Sequence, residues 1–178
     1  MMIENTKLNG VYIIKNFNNI DSRGEFVKTF NKDFFKDNNL DFEIRESYYS
    51  ISKKNVIRGM HFQMPPHDHE KLVYVSSGEI IDVVVDLRKK SSTFKEYISV
   101  KLSAENKKSI FISKGLAHGF KSLKNNTITI YNVATEYKSE ADCGINYNSF
   151  NFDWGLKNSI ISVRDKSLES LENFNSPF

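Results

Sequence analysis

One cysteine, three prolines and eight glycines are all that the 178 residues contain of these types. A lone thiol, Cys143, excludes an internal disulfide framework and any zinc site built on several cysteines, and it suits a reducing compartment. With no stretch rich in Pro, Gly or Ser, nothing reads as a linker, so residues 1–178 are expected to form a single domain. There is no basic tract either. Lys and Arg number 25 against 22 Asp and Glu, a net charge of +3. The cations come as scattered pairs (Lys53-Lys54, Lys89-Lys90, Lys107-Lys108) separated by acids, which cannot neutralise a row of phosphates. Nucleic acid is therefore not an expected partner. The longest apolar run, Ile80 to Leu87, contains acids and stops far short of the roughly 20 residues of a membrane span. The opening MMIENTKLNG has no apolar leader core, so a cytoplasmic protein without membrane association is expected. At this length a chain buries roughly 70% of its unfolded surface, so its core needs neither metal nor disulfide.

Short β-branched and aromatic segments broken by turn residues recur through the chain, at spacings of roughly 8 to 12 residues that typify sandwiches and barrels. Gly10 to Phe17 alternates, Asp21-Ser22-Arg23-Gly24 supplies a turn, and Gly24 to Phe30 reads as the next strand. Asn31 to Asn39, with aromatics spaced among charges, suits one short helix. Ser47 to Ile57 is β-like. Leu72 to Val75 and Ile80 to Leu87, around Ser76-Ser77-Gly78-Glu79, are expected to form a hairpin. Four further strands follow between Tyr97 and Tyr137, and Arg164 to Phe174 is expected to be a C-terminal helix. The fold class is all-β, a double-sheet jelly roll with short peripheral helices.

All four histidines lie in two places: His61, His67 and His69 around Pro65-Pro66, and His118 within Gly115-Leu-Ala-His-Gly-Phe120. On strands of a sandwich, His61 and His118 can project into one cavity as base, hydrogen-bond donor or metal ligand; each can equally be a hydrogen-bonded interior histidine. His67-Asp68-His69-Glu70 offers ligands suited to zinc, iron or nickel, or else forms a solvated rim. Arg23, Arg58, Lys71 and Arg88 are candidates for holding an anion, and glycine directly after Arg23 and Arg58 lets backbone approach a ligand. Asp82 and Asp86 share a strand face, where one can orient a histidine. Tyr131 sits mid-strand, and Cys143 has no local base and is read as structural.

Several segments together are similar to one family. They are Arg58-Gly-Met-His61-Phe-Gln63, Pro65-Pro66, Lys71-Leu-Val73, Gly78, Asp82-Val-Val-Val-Asp86-Leu-Arg88, Ser91-Ser-Thr-Phe94, Leu102-Ser-Ala-Glu-Asn106 and Gly115 to Phe120. From Asp21 to about Asp165 the chain resembles the dTDP-4-dehydrorhamnose 3,5-epimerase family. The resemblance implies a cupin-type jelly roll, a homodimer, no metal and no organic cofactor. It also implies proton removal beside the C4 ketone of a nucleotide-linked 4-keto-6-deoxy sugar, with reprotonation from the opposite face, in supply of sugars for surface polysaccharide. By motif, His61 is the base, Asp165 its carboxylate partner, Tyr131 the opposing acid and Lys71 the holder of the enolate oxygen, with His118 nearby. Arg23 and Arg58 hold the diphosphate, and Phe26, Lys28, Glu46 and Tyr137 join the substrate-binding set. Exchange of the early strands between subunits would bring Arg23 and Phe26 to the partner's pocket.

The chemistry is coherent with these residue types. A base and an acid must lie on opposite ring faces, because one base returning its own proton regenerates the substrate. Stabilising the enolate is the largest task, and an ammonium in a water-poor barrel does it better than water.

The chain also departs from the family pattern. Lys28 stands where a glutamate is common, and Glu46-Ser-Tyr-Tyr-Ser50 stands where Gln-Asp-Asn-His-Ser is common. A carboxylate at Glu46 is able to accept two hydrogen bonds from guanine, so a GDP-linked sugar or heptose, or a CDP sugar, enters as an expectation. Competing readings are a sugar 3,4-ketoisomerase on the same barrel, a metal-dependent cupin using His61, His67, His69 and His118, and an inactive sugar-nucleotide binding module.

Overall fold

A computed structural model describes residues 1–178. Its strands are β1 (Met2–Asn5), β2 (Val11–Lys15), β3 (Phe17–Asp21), β4 (Gly24–Lys28), β5 (Glu46–Ser52), β6 (Val56–Gln63), β7 (Lys71–Ser77), β8 (Glu79–Asp86), β9 (Tyr97–Ser103), β10 (Lys108–Ile112), β11 (Leu116–Ser122), β12 (Thr127–Val133), β13 (Asp142–Gly144) and β14 (Ile160–Ile161). The helices are α1 (Lys32–Asp37) and α2 (Val163–Ser167). One sheet has the order β1-β2-β10-β7-β12-β5 and the other β13-β6-β11-β8-β9, with β14 joining β6 in parallel. These two sheets, otherwise antiparallel, face each other as a cupin-type jelly roll. β3 and β4 stand apart as a two-stranded arm.

Periodicity explains the layers. In β8, Ile80, Asp82, Val84 and Asp86 point into the space between the sheets, while Val83 and Val85 point outward; all are buried. The inner core gathers Val11, Ile13, Val73, Val75, Ile80, Val84, Ile110, Leu116 and Phe120. Outside β8 and β6, Ile145, Trp154 and Leu171 from the last third of the chain cover the second sheet. Outside the first sheet, Phe35, Leu40 and Phe42 of α1 and its following loop pack on Ile14, Leu72 and Phe111. Asn31 starts α1 by accepting from the Phe34 amide at 2.8 Å.

Two expectations need correction. β7 and β8 are not a hairpin. β7 pairs with β10 and β12, and β8 pairs with β9 and β11, so Gly78 carries the chain around a corner from one sheet to the other. Gly78 has φ +82°, and a Cβ there would come within 2.3 Å of the Thr127 hydroxyl. Two largely apolar runs mark strands buried on both faces, which can lie in different layers. The C-terminal helix is also shorter than expected. Ser162 caps α2 by accepting from the Asp165 amide at 3.0 Å, and helix ends at Ser167 because Leu171 and Phe174 are drawn onto the outer core instead.

A break in β6 shapes the site. Arg58 and His61 are three residues apart, and regular alternation would send them to opposite faces. Between His118 and Phe120 of β11, the partner residues jump from His61 to Arg58, so β6 carries one extra residue and both side chains reach the same cavity. Glycine permits the close approach. A Cβ on Gly119 would lie 2.6 Å from the Met60 sulfur and 2.7 Å from the Arg58 carbonyl oxygen. Gly119→Ala is expected to cost about 1–3 kcal/mol. At this chain length each kcal/mol lowers Tm by roughly 2–4 °C, which scanning calorimetry reads; an unchanged Tm would show that the bulge tolerates a methyl group.

Candidate active site

A cavity of about 620 Å³ opens between the sheets and is lined by Tyr48, Ser50, Arg58, His61, Lys71, His118, Tyr131, Arg164 and Asp165 among others. His61 and His118 are cross-strand partners on β6 and β11. Each has its own carboxylate. His61 Nε2 lies 2.8 Å from Asp165 Oδ1, and His118 Nε2 lies 2.7 Å from Asp82 Oδ2.

Asp165 reaches His61 through local structure. β14 pairs Ile160 with Val56 and Ile161 with Ile57, Ser162 turns the chain, and the first turn of α2 presents the carboxylate. The Gly59 amide also donates to Asp165 Oδ2, at 3.3 Å. Burial pushes this carboxyl up, but the hydrogen bond and charge of His61, the Gly59 amide and the Ser162 hydroxyl together hold it below the ordinary range. Ionised Asp165 accepts a hydrogen bond from His61 Nε2, which leaves Nδ1 as the ring nitrogen that the carboxylate does not engage. In the second pair, burial raises the Asp82 carboxyl against the pull of His118.

Lys71 shares the inward face of β7 with Val73 and Val75. Its ammonium donates to the His61 carbonyl at 3.3 Å. Burial lowers it to about 8, with the charges of Asp142 and Asp82 pulling the other way. Were Lys71 to hold an enolate oxygen, as the family resemblance implies, its charged form would do so, and kcat/KM is then expected to fall as pH rises through about 8. Lys71→Met should remove this limb along with most activity; a limb surviving in Lys71→Met would assign it to another group.

Tyr131, on β12, is buried and stacks on Tyr48 with ring centroids 4.9 Å apart and planes 19° from parallel. Burial raises its phenol well above the ordinary range, so it keeps its proton. Ser50 Oγ is its hydrogen-bond neighbour at 3.5 Å. Arg58 lines the cavity while donating from Nε to Ser52 Oγ at 3.2 Å and from Nη2 to the Ile51 carbonyl at 3.5 Å.

The remaining expected residues fall elsewhere. Glu46 and Tyr137 line a side cavity of about 50 Å³ that shares Tyr48, His61 and Lys71 with the main one. Glu46 Oε2 accepts from the Tyr137 amide at 2.6 Å. Arg23, Phe26 and Lys28 lie on the projecting arm and do not line the cavity of their own chain. Arg23 is 87% exposed and folds back on Asp21, with Nη2 at 2.6 Å from Oδ2. Arg88 is not at the site: it braces Asp86 and the Asn9 carbonyl.

The histidines of the metal reading are dispersed among separate partners. His69 Nδ1 faces Thr135 Oγ1 at 2.6 Å, burial pushes its ring down to about 3, and no three His, Cys, Asp or Glu side chains converge anywhere. Arg164 was not foreseen as a site residue, and Tyr48 and Ser50 entered only within the Glu46-to-Ser50 departure from the family pattern. The signal for the latter two is parity on β5, where Tyr48 pairs with Tyr131 and Ser50 with Thr129.

This geometry can be set beside known proteins. A family model described as dTDP-4-dehydrorhamnose 3,5-epimerase matches residues 5–173. A dTDP-4-dehydrorhamnose 3,5-epimerase of Methanothermobacter thermautotrophicus is 40% identical over 171 residues, 93% of this chain and 92% of its own. The enzyme of that name from Bacillus anthracis, solved with TDP and PPi bound, superposes with TM-score 0.92 at 32% identity, covering 95% of this chain and 98% of its own. A Legionella pneumophila 3,5-epimerase in complex with dTDP-4-keto-L-rhamnose gives TM-score 0.93 at 32% identity, covering 98% and 94%. Matches that run nearly end to end in sequence and in backbone leave one conclusion: the chain belongs to the dTDP-4-dehydrorhamnose 3,5-epimerase family.

Proposed function

We propose that the protein inverts C3 and C5 of a dTDP-linked 4-keto-6-deoxy sugar without metal or organic cofactor. The observation that carries this reading is that His61 and Tyr131 line one cavity, with Lys71 buried beside them. His61 Nδ1 takes the proton from the carbon next to the ketone. Asp165 stabilises the imidazolium that forms, and the Lys71 ammonium and His118 stabilise the enolate oxygen. Tyr131 then delivers a proton from the other side, the imidazolium gives its proton to solvent, and the phenolate takes one back. Arg58 holds the diphosphate.

For the base we propose thymine. Glu46 is tied to the Tyr137 amide by one oxygen, which weakens the guanine expectation, and the relatives above are named for dTDP sugars. The arm supports a homodimer: Phe17, Ile20 and Phe26 expose apolar surface on it, as do Tyr49 and Ile51 on β5, an edge strand of its sheet. Such an assembly would bring Arg23, Phe26 and Lys28 to the partner's pocket, and sedimentation equilibrium giving an active monomer would overturn it.

The direct test is incubation with dTDP-4-keto-6-deoxyglucose in heavy water, followed by NMR. Deuterium at C3 and C5 with inverted configuration is the expected result. No exchange would refute the activity, and a ketone moved to C3 would favour the ketoisomerase. Calorimetry with dTDP, GDP and CDP tests the base, with GDP preference overturning the thymine reading.

A further inference from the structure

Asp165 is placed by a stretch of chain that the core scarcely holds. Trp154 is buried in the outer core, and between it and Asp165 no residue is buried; only Ile161 packs partly against that core. Hydrogen bonds must therefore set the course of the stretch. Ile160 donates its amide to the Asn55 carbonyl at 3.0 Å, and Ile160 and Ile161 pair with β6. Upstream of these contacts, one side chain reaches in from another strand. Lys121 of β11 lies across from Ile57, which in turn lies across from Ile161, so the three share a rung. Phe120 points into the inner core, so Lys121 points outward, on the face where Ala117 joins the outer core. Its Nζ donates to the Trp154 carbonyl at 2.6 Å and also to the Gly155 carbonyl. Both acceptors are main-chain. An ammonium shared between two successive carbonyls fixes the direction in which the chain leaves the core.

We propose that Lys121 is a positioning residue for the His61–Asp165 dyad: it holds the start of this stretch so that β14 keeps its register on β6 and the first turn of α2 delivers the carboxylate to His61 Nε2. The proposal rests on the reading of His61 as the base. Lys121 lines no part of the cavity, so its effect has to travel along the chain. On the far side of the carboxylate, Asn146 Nδ2 donates to the Lys166 carbonyl at 3.0 Å. Lys121 and Asn146 thus grip the segment before and after Asp165. What they protect is a contact of 2.8 Å, and a misplacement of about 1 Å at a reacting group can cost on the order of a hundredfold in rate. A charged donor suits the task, because it makes stronger hydrogen bonds to carbonyls than a neutral one at a partly exposed position.

A double-mutant cycle separates positioning from general support of the fold. Solvent deuterium entering beside the ketone of dTDP-4-keto-6-deoxyglucose is measured for the full wild-type chain, Lys121→Met, Asp165→Asn and the two combined. Lys121→Met keeps the stem and loses the ammonium, and is expected to slow exchange by roughly ten- to thirtyfold. In the Asp165→Asn background the same change is expected to cost less than about twofold, because the carboxylate it positions is already gone. Lys121→Arg, which retains charge and donors, is expected to stay within about threefold of wild type. An equal loss in both backgrounds, no loss in Lys121→Met, or a loss in Lys121→Arg as large as in Lys121→Met overturns the proposal. Should Lys121→Met fail to fold, the uncharged and shorter Lys121→Gln takes its place with the same expected outcomes. Amide hydrogen exchange keeps this idea separate from the activity itself. In Lys121→Met the amides of Ile160 and Asp165, which donate to Asn55 and Ser162, are expected to exchange faster while those of β8 do not change. Wild-type protein that processes no nucleotide sugar sinks the activity reading, yet faster exchange at these two amides would still establish the clamp; unchanged exchange there overturns it.

Discussion

His61→Asn is expected to abolish epimerisation and, with it, the incorporation of solvent deuterium beside the ketone, a loss of roughly 10²–10⁴-fold for a positioned general base. Asparagine is smaller than histidine and ends near the place of Nδ1, short of the Nε2 that contacts Asp165, so the proton acceptor and the dyad contact are lost together. Both losses matter because the dyad does two jobs. Asp165 is held ionised by its buried contacts and engages Nε2 of His61, so in the proposed mechanism it holds the ring with Nδ1 toward the substrate. Asp165→Asn should therefore retain nucleotide binding and lose most exchange. NMR of product formed in heavy water reads both effects, and exchange at the wild-type rate in His61→Asn would assign the base to another residue.

Tyr131→Phe is expected to separate two events that the wild-type enzyme couples. Abstraction by His61 does not involve the phenol, so deuterium exchange should persist within about tenfold, whereas inversion should fall by roughly 10²–10³-fold because the opposite-face acid is gone. The removal of one hydroxyl leaves the stacking on Tyr48 intact, and the long 3.5 Å contact to Ser50 is all that is lost in hydrogen bonding within the chain. The phenol suits this role because burial holds it protonated until an enolate forms beside it. Equal loss of exchange and inversion would mean that Tyr131 positions the sugar and does not deliver the proton.

Much of this was legible in the residues and some was not, for identifiable reasons. Alternation marked the strands, and the buried pair His118–Asp82 follows from two residues facing inward on neighbouring strands. Hydrophobic pattern says how deeply a strand is buried but not which sheet it joins, so β7, Gly78 and β8 read as a hairpin when they are a corner. Arg58 and His61 sit at a spacing that alternation separates, and only the bulge opposite Gly119 unites them. Arg164 was hidden because an exposed arginine on a short polar segment looks like solvated surface. The arm residues present the opposite problem: Arg23, Phe26 and Lys28 match a functional pattern, yet their own chain leaves them at the periphery.

The dyad's carboxylate arrives on a segment fastened to β6 by two residue pairs and a five-residue helix. Stability within a fold is uneven, and a short segment at the edge of a sheet opens at lower free energy than a double-faced core. Catalysis in this protein thus has its own, lower ceiling: warming should silence the base while the sandwich still stands.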